Sequence, residues 1–211
     1  MKQFSLIFGG LMCNAALVLI LSGCMSIPVS PQSRLYLLKA SVEKGDSKPV
    51  TGAVGLVVGV GPVKVPAYLN RPQMVTCSTD KMIKLAQFDR WGEVLDTGLM
   101  RVISEGLAAR LPGAAFAAYP WHSALPVKYQ VVIEIVQLDS ELDKELFLVA
   151  QWLVIDAQSL RTLIIKRSEF RRPIIPQDYA GLARTLSDVC ASLSREIAEQ
   201  LATMQGPVPP V

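Results

Sequence analysis

Hydrophobic and polar residues form short runs over the first half of the chain, a pattern that is typical of β-strands. Leu35–Lys39 is one such run, and the valine-rich run Ala53–Val60 predicts a buried strand that ends at Gly61-Pro62. Gln73–Cys77 and Met82–Ala86 flank a polar turn and therefore predict a β-hairpin. The first half of the chain is thus expected to be mainly strand.

In two longer segments the apolar residues recur every three or four positions, as they do in amphipathic helices. Trp91–Leu111 carries apolar residues at this spacing and is stopped by Pro112-Gly113, with Asp89 placed as its N-cap. A second stripe with the same spacing runs from about Asp178 to Met204. Both segments are predicted to be long helices.

Three strand-like segments lie between the two helices and predict a β-meander. The first begins at Tyr129 and places alternate apolar residues on one face, whereas Phe147–Ile155 is apolar on both faces. Leu163–Arg172 alternates aliphatic with charged residues, as an edge or half-exposed strand does. The predicted fold class is α/β: a single domain in which a mixed, largely antiparallel sheet packs with two long amphipathic helices.

Two helices cover only one face of such a sheet, although Ala53–Val60 and Phe147–Ile155 are apolar on both faces. Two explanations stay open at this point. Either loops and the N-terminal segment cover the second face, or it meets a partner subunit, a partner protein or a lipid.

The N-terminus carries an apolar run from Phe4 to Leu21 behind the single positive charge of Lys2, which is the pattern of a secretory signal peptide. The run ends in the tetrapeptide Leu21–Cys24, which has the form of a bacterial lipobox. In that motif small residues admit a peptidase and the cysteine thiol takes a diacylglycerol. We predict a signal peptide over residues 1–23, a lipidated flexible tether over 24–33, a folded domain over 34–204 and a disordered tail over 205–211.

The tether limits where the folded domain can go. Its residues from Cys24 to Ser33 reach about 35 Å when fully extended. The domain is therefore expected to sit close to the phospholipid membrane that holds the acyl chains, without crossing the periplasm by itself.

Charge does little to identify a partner. The whole chain has 21 basic and 18 acidic side chains, and Lys2 is the one charged residue in the predicted signal peptide. This balance argues against a nucleic-acid partner, and no cluster of Lys and Arg in the sequence marks an anionic membrane patch.

The four cysteines have different predicted roles. Cys13 belongs to the signal peptide and Cys24 is the lipid site. Cys77 and Cys190 remain in the exported domain, where the compartment is oxidising. They form either one disulfide or two separate buried thiols, and the sequence leaves this choice open.

Candidate catalytic and metal-binding residues are few. His122 is the one histidine and lies in a proline-bounded loop, with no nucleophile motif to accompany it. The acidic stretch from Asp139 to Glu145 lacks the glycine and final ligand of a calcium loop, and Gly59–Lys64 lacks a glycine of the phosphate loop it resembles. We therefore expect no enzymatic activity, no metal and no cofactor.

Two blocks carry a resemblance to a known family: Val60–Thr76, with the sequence VGPVKVPAYLNRPQMVT, and Phe88–Asp96, with the sequence FDRWGEVLD. Together with the lipobox and the YLL run Tyr36–Leu38, they resemble the ABC-type transport auxiliary lipoproteins of the PqiC/YmbA type. The resemblance singles out these residues as structural or partner-contact positions: Gly61, Pro62, Pro66, Tyr68, Leu69, Arg71, Pro72, Trp91, Glu93, Leu95 and Asp96. Among them, Arg71 is expected to anchor a loop by pairing with a carboxylate. The pattern includes neither Cys77 nor Cys190.

The resemblance also implies a function. Such lipoproteins are non-enzymatic and are thought to work with MCE-domain proteins and their inner-membrane partners in moving lipids between the two membranes of Gram-negative envelopes. Because Cys24 is followed by Met25 and not by Asp, the expected location is the periplasmic leaflet of the outer membrane. MCE assemblies are rings, so we expect copies of this chain to form a homo-oligomeric ring that matches them. The alternative is a structural or assembly lipoprotein that binds an outer-membrane protein or peptidoglycan.

Overall fold

The computed structural model of the protein describes residues 31–41, 55–77, 80 and 82–204. In these ranges the strands and helices are β1 Arg34–Tyr36, β2 Val57–Lys64, β3 Gln73–Cys77, β4 Ile83–Trp91, α1 Leu95–Arg110, β5 Ala115–Ala118, β6 Tyr129–Ser140, β7 Glu145–Asp156, β8 Thr162–Pro173 and α2 Tyr179–Thr203. The predictions for the signal peptide, for Cys24 and for the tail over 205–211 lie outside the described residues.

The strands form two sheets. One has the order β1-β4-β3 and the other the order β5-β2-β6-β7-β8. In the larger sheet β2 runs parallel to β5 and β6, whereas β6, β7 and β8 form the predicted antiparallel meander with β8 at the edge. The predicted α/β fold class with two helices is confirmed, and the division into two sheets is a detail that periodicity did not show.

The core lies between the two helices and one face of the five-stranded sheet. Val131, Ile133 and Trp152 belong to β6 and β7 and are fully buried, as are Ile103 on α1 and Leu186 on α2. Burying side chains of this size stabilises the fold by about 1.5 to 3 kcal/mol each. None of the helices in the described ranges is long and apolar enough to span a membrane.

The two helices pack closely because α1 presents a glycine to α2. A Cβ atom added at Gly106 would lie 2.7 Å from Ser194 Oγ. That hydroxyl donates to the backbone carbonyl of Cys190, at 2.8 Å, within its own helix, and it also lies 3.3 Å from the carbonyl oxygen of Ile103 on α1. The small residues therefore bring the helix backbones together where a larger side chain has no room.

The second helix begins as predicted. Asp178 is its N-cap, and the carboxylate accepts a hydrogen bond from Gly181 N at 2.7 Å. The first helix begins later than predicted, at Leu95, because Trp91 is still the last residue of β4.

The prediction that Asp89 caps the first helix is wrong. Asp89 lies inside β4 and is only 3% exposed, and its carboxylate accepts hydrogen bonds from Arg34 at 2.8 Å and Tyr36 at 2.9 Å. The residue at the N-cap position, Val94, makes no side-chain hydrogen bond to the helix. A buried carboxylate with two tertiary donors is held in the strand, where it cannot also cap a helix.

The predicted ends of three strands were also wrong. The strand predicted over Met82–Ala86 begins at Ile83 and continues to Trp91. Gly61-Pro62 does not end the second strand, since β2 continues to Lys64, whereas β1 ends at Tyr36, before the predicted Lys39. The pairing of β2 with β6 shifts register between Val60 and Val63, and Pro62 falls within this irregularity. A proline is tolerated at such a position because its missing N–H is not needed by the ladder.

Candidate interaction surfaces

An apolar patch lies on the face of the five-stranded sheet that the helices leave uncovered. Val132, Leu153 and Ile165 are register partners across β6, β7 and β8, so their side chains share one face. Their neighbours Trp152 and Val154 are fully buried on the other face, toward the helices. The outer face therefore carries a row of aliphatic side chains across three strands, half-buried on β6 and β7 and exposed on β8.

Two further residues extend this row. Ile155 and Leu163 occupy the same face near the β7–β8 connection, where Leu163 is exposed and Ile165 is 64% exposed. We call these residues the outer-face patch: Val132, Leu153, Ile155, Leu163 and Ile165. Contiguous apolar side chains that remain open to solvent are typical of interaction surfaces.

Trp121 covers the neighbouring part of the same face. A Cβ atom added at Gly59 in β2 would lie 2.6 Å from the Trp121 ring, so the indole rests directly on the strand backbone. Tyr119 packs edge-on against Trp121, with 5.6 Å between the ring centroids. This contact was not predicted from the sequence, although a glycine inside a valine-rich strand is a signal for close approach by another group.

The outer-face patch has a polar boundary. The next row across β6, β7 and β8 is polar and consists of Glu134, Gln151 and Arg167. Further along, the Arg171 guanidinium lies 3.8 Å from the centroid of the Phe147 ring and also pairs with Glu145. The outer-face patch is therefore confined to the end of the sheet near the β7–β8 connection.

A second surface is built by the segment that follows β1. Lys39 N donates to Ser187 Oγ on α2 at 3.1 Å, and Arg101 on α1 donates to the carbonyl of Leu38 at 2.9 Å. Arg101 is itself held by an ion pair with Glu93. The side chain of Leu38 is buried, so the segment is fixed to both helices by one side chain and two backbone contacts.

This segment has a cleft on each side. The cleft toward α2 has a volume of about 530 Å³ and is lined by Leu35, Leu37, Lys39, Ala183, Arg184 and Asp188, among others. The cleft toward α1 has a volume of about 400 Å³ and includes Glu93, Arg101 and Glu105 in its lining. We call the segment and the cleft toward α2 the N-terminal surface, defined by residues 34–41 and 180–188.

Sequence comparison identifies the family. The profile of the family described as ABC-type transport auxiliary lipoprotein component matches residues 36–198, which include nearly all of both sheets and most of α2. The chain belongs to this family.

Solved structures show the same fold. A crystal structure of an uncharacterized protein is 19% identical, with a TM-score of 0.66, and the match covers 81% of this chain and 99% of that one. A crystal structure of a protein from Xanthomonas campestris is 12% identical, with a TM-score of 0.65, over 82% of this chain and 96% of that one. At these identities the likeness shows the fold alone. No curated protein matches the chain.

The motif residues of the family lie where the two sheets and α1 meet. Three of them are buried in the core and so have a folding role: Leu69, Trp91 and Leu95. Pro66 precedes a 3₁₀ turn that includes Tyr68, and the carbonyl of Pro72 accepts a hydrogen bond from Trp91 N at 2.7 Å. These residues form the corner through which the chain passes from one sheet to the other.

The acidic motif residues have different environments. Glu93 pairs with Arg101, which in turn holds the segment after β1. Asp96 contacts its neighbour in the chain, and its carboxylate accepts a hydrogen bond from the hydroxyl of Thr97 at 3.0 Å. Glu93 therefore supports the N-terminal surface, whereas Asp96 contributes to the first turn of α1.

The expectation that Arg71 pairs with a carboxylate is wrong for the described part of the chain. There Arg71 forms no ion pair, and its buried Nε has no hydrogen-bond acceptor. Gly61 has a packing role, because an added Cβ would lie 2.8 Å from both Met100 and Tyr119. The backbone of β2 thus passes close to α1 at this glycine.

The disulfide between Cys77 and Cys190 is not formed, and both residues are thiols. Cys190 lies inside the core on α2, and burial raises its pKa to about 12. Its thiolate form is therefore scarce at neutral pH, so it packs as a small hydrophobic residue. Cys77 lies at the end of β3 and lines a cavity of about 200 Å³ with Tyr68 and Ile83.

The residues considered for catalysis and metal binding are dispersed or already paired. His122 is exposed on its loop, and its Nδ1 accepts a hydrogen bond from Ala124 N at 3.1 Å. The acidic stretch forms the β6–β7 connection as predicted, and Glu141 is paired there with Lys144. Within the described ranges no three histidine, cysteine or acidic side chains come together as metal ligands.

Proposed function

We propose that this protein is a non-enzymatic outer-membrane lipoprotein that works in an MCE-type lipid transport system linking the inner and outer membranes, and so contributes to envelope integrity. Membership in a family of transport auxiliary lipoproteins supports an auxiliary role beside an ABC-type transporter. The lipobox that ends at Cys24 supports attachment by acyl chains, which place the folded domain at a membrane.

The observation that carries the proposal is the outer-face patch. The chemistry of an enzyme requires converging polar groups in a pocket, whereas this sheet presents aliphatic side chains on an open face. Charged residues on edge strand β8, such as Lys166 and Arg167, oppose pairing with a further strand at that edge. The face of the sheet, and not its edge, is therefore the surface that suits a protein partner.

The tether supports the same role. Because it reaches about 35 Å at most, the domain does not carry lipid across the periplasm as a shuttle. A partner that spans the gap must come to it, and an MCE assembly with its inner-membrane partners is such a partner. A ring partner is most simply matched by a ring of subunits joined head to tail, so the outer-face patch of one copy is proposed to contact a different surface of the next copy.

Self-association is tested on the unit from Ser33 to Val211, which has its own core. Light scattering at tens of micromolar should show oligomers for the wild type and a shift to monomer for I165E, because a carboxylate placed in an apolar contact is costly to bury. The matched control is K166E, which changes the charge of the next residue on the same strand but on the opposite face. A strictly monomeric wild type would remove the ring from the proposal.

Partner binding is tested by capture with the soluble domain of an MCE protein from the same organism. Wild type and K166E should be retained, and I165E should lose most of its binding. Retention of an outer-membrane protein or of peptidoglycan, without the MCE protein, would instead favour the assembly lipoprotein. Turnover of phospholipid that H122A abolishes would contradict the non-enzymatic role.

Location is tested by fractionation. Wild type should mature and follow the outer membrane, whereas C24A should accumulate as an unprocessed and non-acylated precursor. Normal maturation of C24A, or fractionation of the wild type with the inner membrane, would contradict the proposed location.

A further inference from the structure

The folded domain begins at the N-terminal surface, which is also the part of the domain nearest in sequence to the lipid anchor. Arg34 is the first residue of β1 and follows the predicted acylation site Cys24 by ten positions. At about 3.5 Å per residue, β1 lies within roughly 35 Å of the acyl chains. The acyl anchor therefore keeps any surface beside β1 close to the membrane, which gives that surface a high effective concentration at the bilayer.

Two leucines on this surface project away from the core. Leu35 is 68% exposed and Leu37 is 54% exposed, although Leu38 next to them is buried. The hydrogen bonds from Lys39 N and Arg101 fix the backbone of this segment against the helices, so the exposure of the leucines is built into the fold. Exposed aliphatic side chains beside an acyl anchor match the interfacial region of a bilayer.

Basic side chains accompany the two leucines. Lys39 and Arg184 line the cleft of about 530 Å³, and no described residue forms an ion pair with either of them. Asp188 is the acidic residue in the lining of the cleft, so the cations are in excess.

We propose that the N-terminal surface rests on the phospholipid membrane, with Leu35 and Leu37 in the interface and Lys39 and Arg184 at the lipid phosphates. Guanidinium and ammonium groups are the donors that proteins use for phosphate, and those with no carboxylate partner are available to it. This contact sets the orientation of the domain, so that the outer-face patch is presented to partners from a fixed position. It rests on the proposed function only in requiring acylation at Cys24.

The acidic β6–β7 connection is close to the start of α2 and does not oppose this orientation. Gln177 donates to the carbonyl of Asp143 at 2.8 Å, which places the connection beside the segment before α2. Two of its four carboxylates are paired, in the ion pairs Glu141–Lys144 and Glu145–Arg171. The acidic residues that line the cleft toward α1 together with Lys39, Glu93 and Glu105, are both paired with Arg101.

The test uses the acylated mature protein in vesicles of equal parts phosphatidylethanolamine and phosphatidylglycerol whose acyl chains carry bromine, a short-range quencher of tryptophan emission. L37W adds a tryptophan to the N-terminal surface, and L35W is a second probe of the same face. The matched control is L160W, at a leucine that is 76% exposed. Leu160 lies in the β7–β8 connection, at the other end of β8 from α2 and about 40 Å away along the strand.

With the wild-type emission subtracted, the signals added by L37W and L35W should lose most of their intensity in brominated vesicles, whereas the signal added by L160W should be unchanged. K39E/R184E should restore most of the L37W signal, and the control pair K166E/R167E on β8 should leave it quenched. Equal quenching of L37W and L160W, or no effect of K39E/R184E, would overturn the proposal.

The outcomes also separate this proposal from the proposed function. The mass of the mature protein shows whether Cys24 is acylated before the vesicles are made. An acylated protein with no quenching of L37W overturns the membrane contact and leaves the transport role untouched, because the vesicles contain no MCE partner. Loss of MCE capture together with normal quenching of L37W would overturn the transport role and leave the membrane contact untouched.

Discussion

The two sheets of this molecule are stabilised in different ways. The five-stranded sheet is built mainly from long strands, and β6, β7 and β8 pair with their sequence neighbours over a buried apolar face. The three-stranded sheet has β1 with only three residues, paired to β4 across more than fifty residues of chain, and a buried carboxylate joins them. Both sheets bury apolar side chains, and the small sheet depends in addition on a specific polar contact.

This difference matters for function. The large sheet offers a rigid face for a partner, because its other face is fixed by two helices. The small sheet links the folded domain to the predicted lipid anchor, since β1 is where the tether ends. Local stability is expected to be higher in the first region than in the second, because β1 has no fully buried side chain.

The largest effect is expected from the core of the five-stranded sheet. W152A removes a fully buried side chain whose indole N–H donates to Ser168 Oγ at 3.0 Å. The free energy of unfolding should fall by about 4 kcal/mol, measured by urea denaturation of the unit from Ser33. W121A, at a partly exposed tryptophan on the outer face, should cost less than half as much. Equal losses would contradict a core centred on this sheet.

A smaller and more local effect is expected in the three-stranded sheet. D89A leaves the Tyr36 hydroxyl and the Arg34 guanidinium without their acceptor, and should lower the free energy of unfolding by about 2 kcal/mol. Hydrogen exchange should accelerate in β1 while β6–β8 stay protected. D96A removes a carboxylate that contacts neighbouring Thr97 and serves as the control. If D89A accelerated hydrogen exchange equally in both sheets, the loss of the Asp89 contact would not be local to the three-stranded sheet, contrary to this prediction.

Gly59 tests the contact beside the outer-face patch. G59A would place a methyl group 2.6 Å from the Trp121 ring, so the indole must move and its emission should shift to the red. We expect a loss of about 1 kcal/mol in unfolding free energy from the displaced contact. In a W121A background G59A should have almost no effect on the unfolding free energy. An equal loss in that background would show that the alanine destabilises the strand itself and not the contact with Trp121.

Alkaline pH should have the smallest effect, confined to the small sheet. Burial of the Tyr36 phenol, and next its hydrogen bond to Asp89, raise its pKa above the ordinary value of 10.0. The stability that depends on neutral Tyr36 is therefore complete below the unfolded-state pKa and is lost as the pH rises through the folded-state pKa, because the unfolded phenol ionises first. When the unfolding free energy is measured against pH, this alkaline decrease should be absent in Y36F and present in Y119F.

Most of the elements that the sequence predicted are stabilised locally, although β2 was also predicted and pairs with the distant strands β5 and β6. The β6–β8 meander, the β3–β4 hairpin and α2 each repeat one period over several residues, and the strands pair with sequence neighbours. The start of α1 was misplaced because β4 and α1 adjoin with little connection, so apolar Trp91 fits either period. Strand β5, over Ala115–Ala118, was missed because four residues are too few to show a period and its partner β2 is distant in the sequence.

The candidate surfaces were predictable only in part. An uncovered apolar sheet face was expected from Phe147–Ile155, but the register that aligns Leu153 with Ile165 depends on tertiary structure. The contact of Trp121 with Gly59 and the hydrogen bonds of Asp89 both join residues more than fifty positions apart. No periodic signal reports such pairs, because each partner alone looks like an ordinary loop or strand residue.

Site-specific photocrosslinking in the living cell tests most directly whether the outer-face patch contacts a protein partner. A photoreactive amino acid at position 165 should form adducts with a second copy of this chain or with an MCE protein, identified by mass spectrometry. The same amino acid at position 166, on the opposite face of β8, should form few or none. Equal yields at the two positions, or no protein adduct at position 165, would contradict the account.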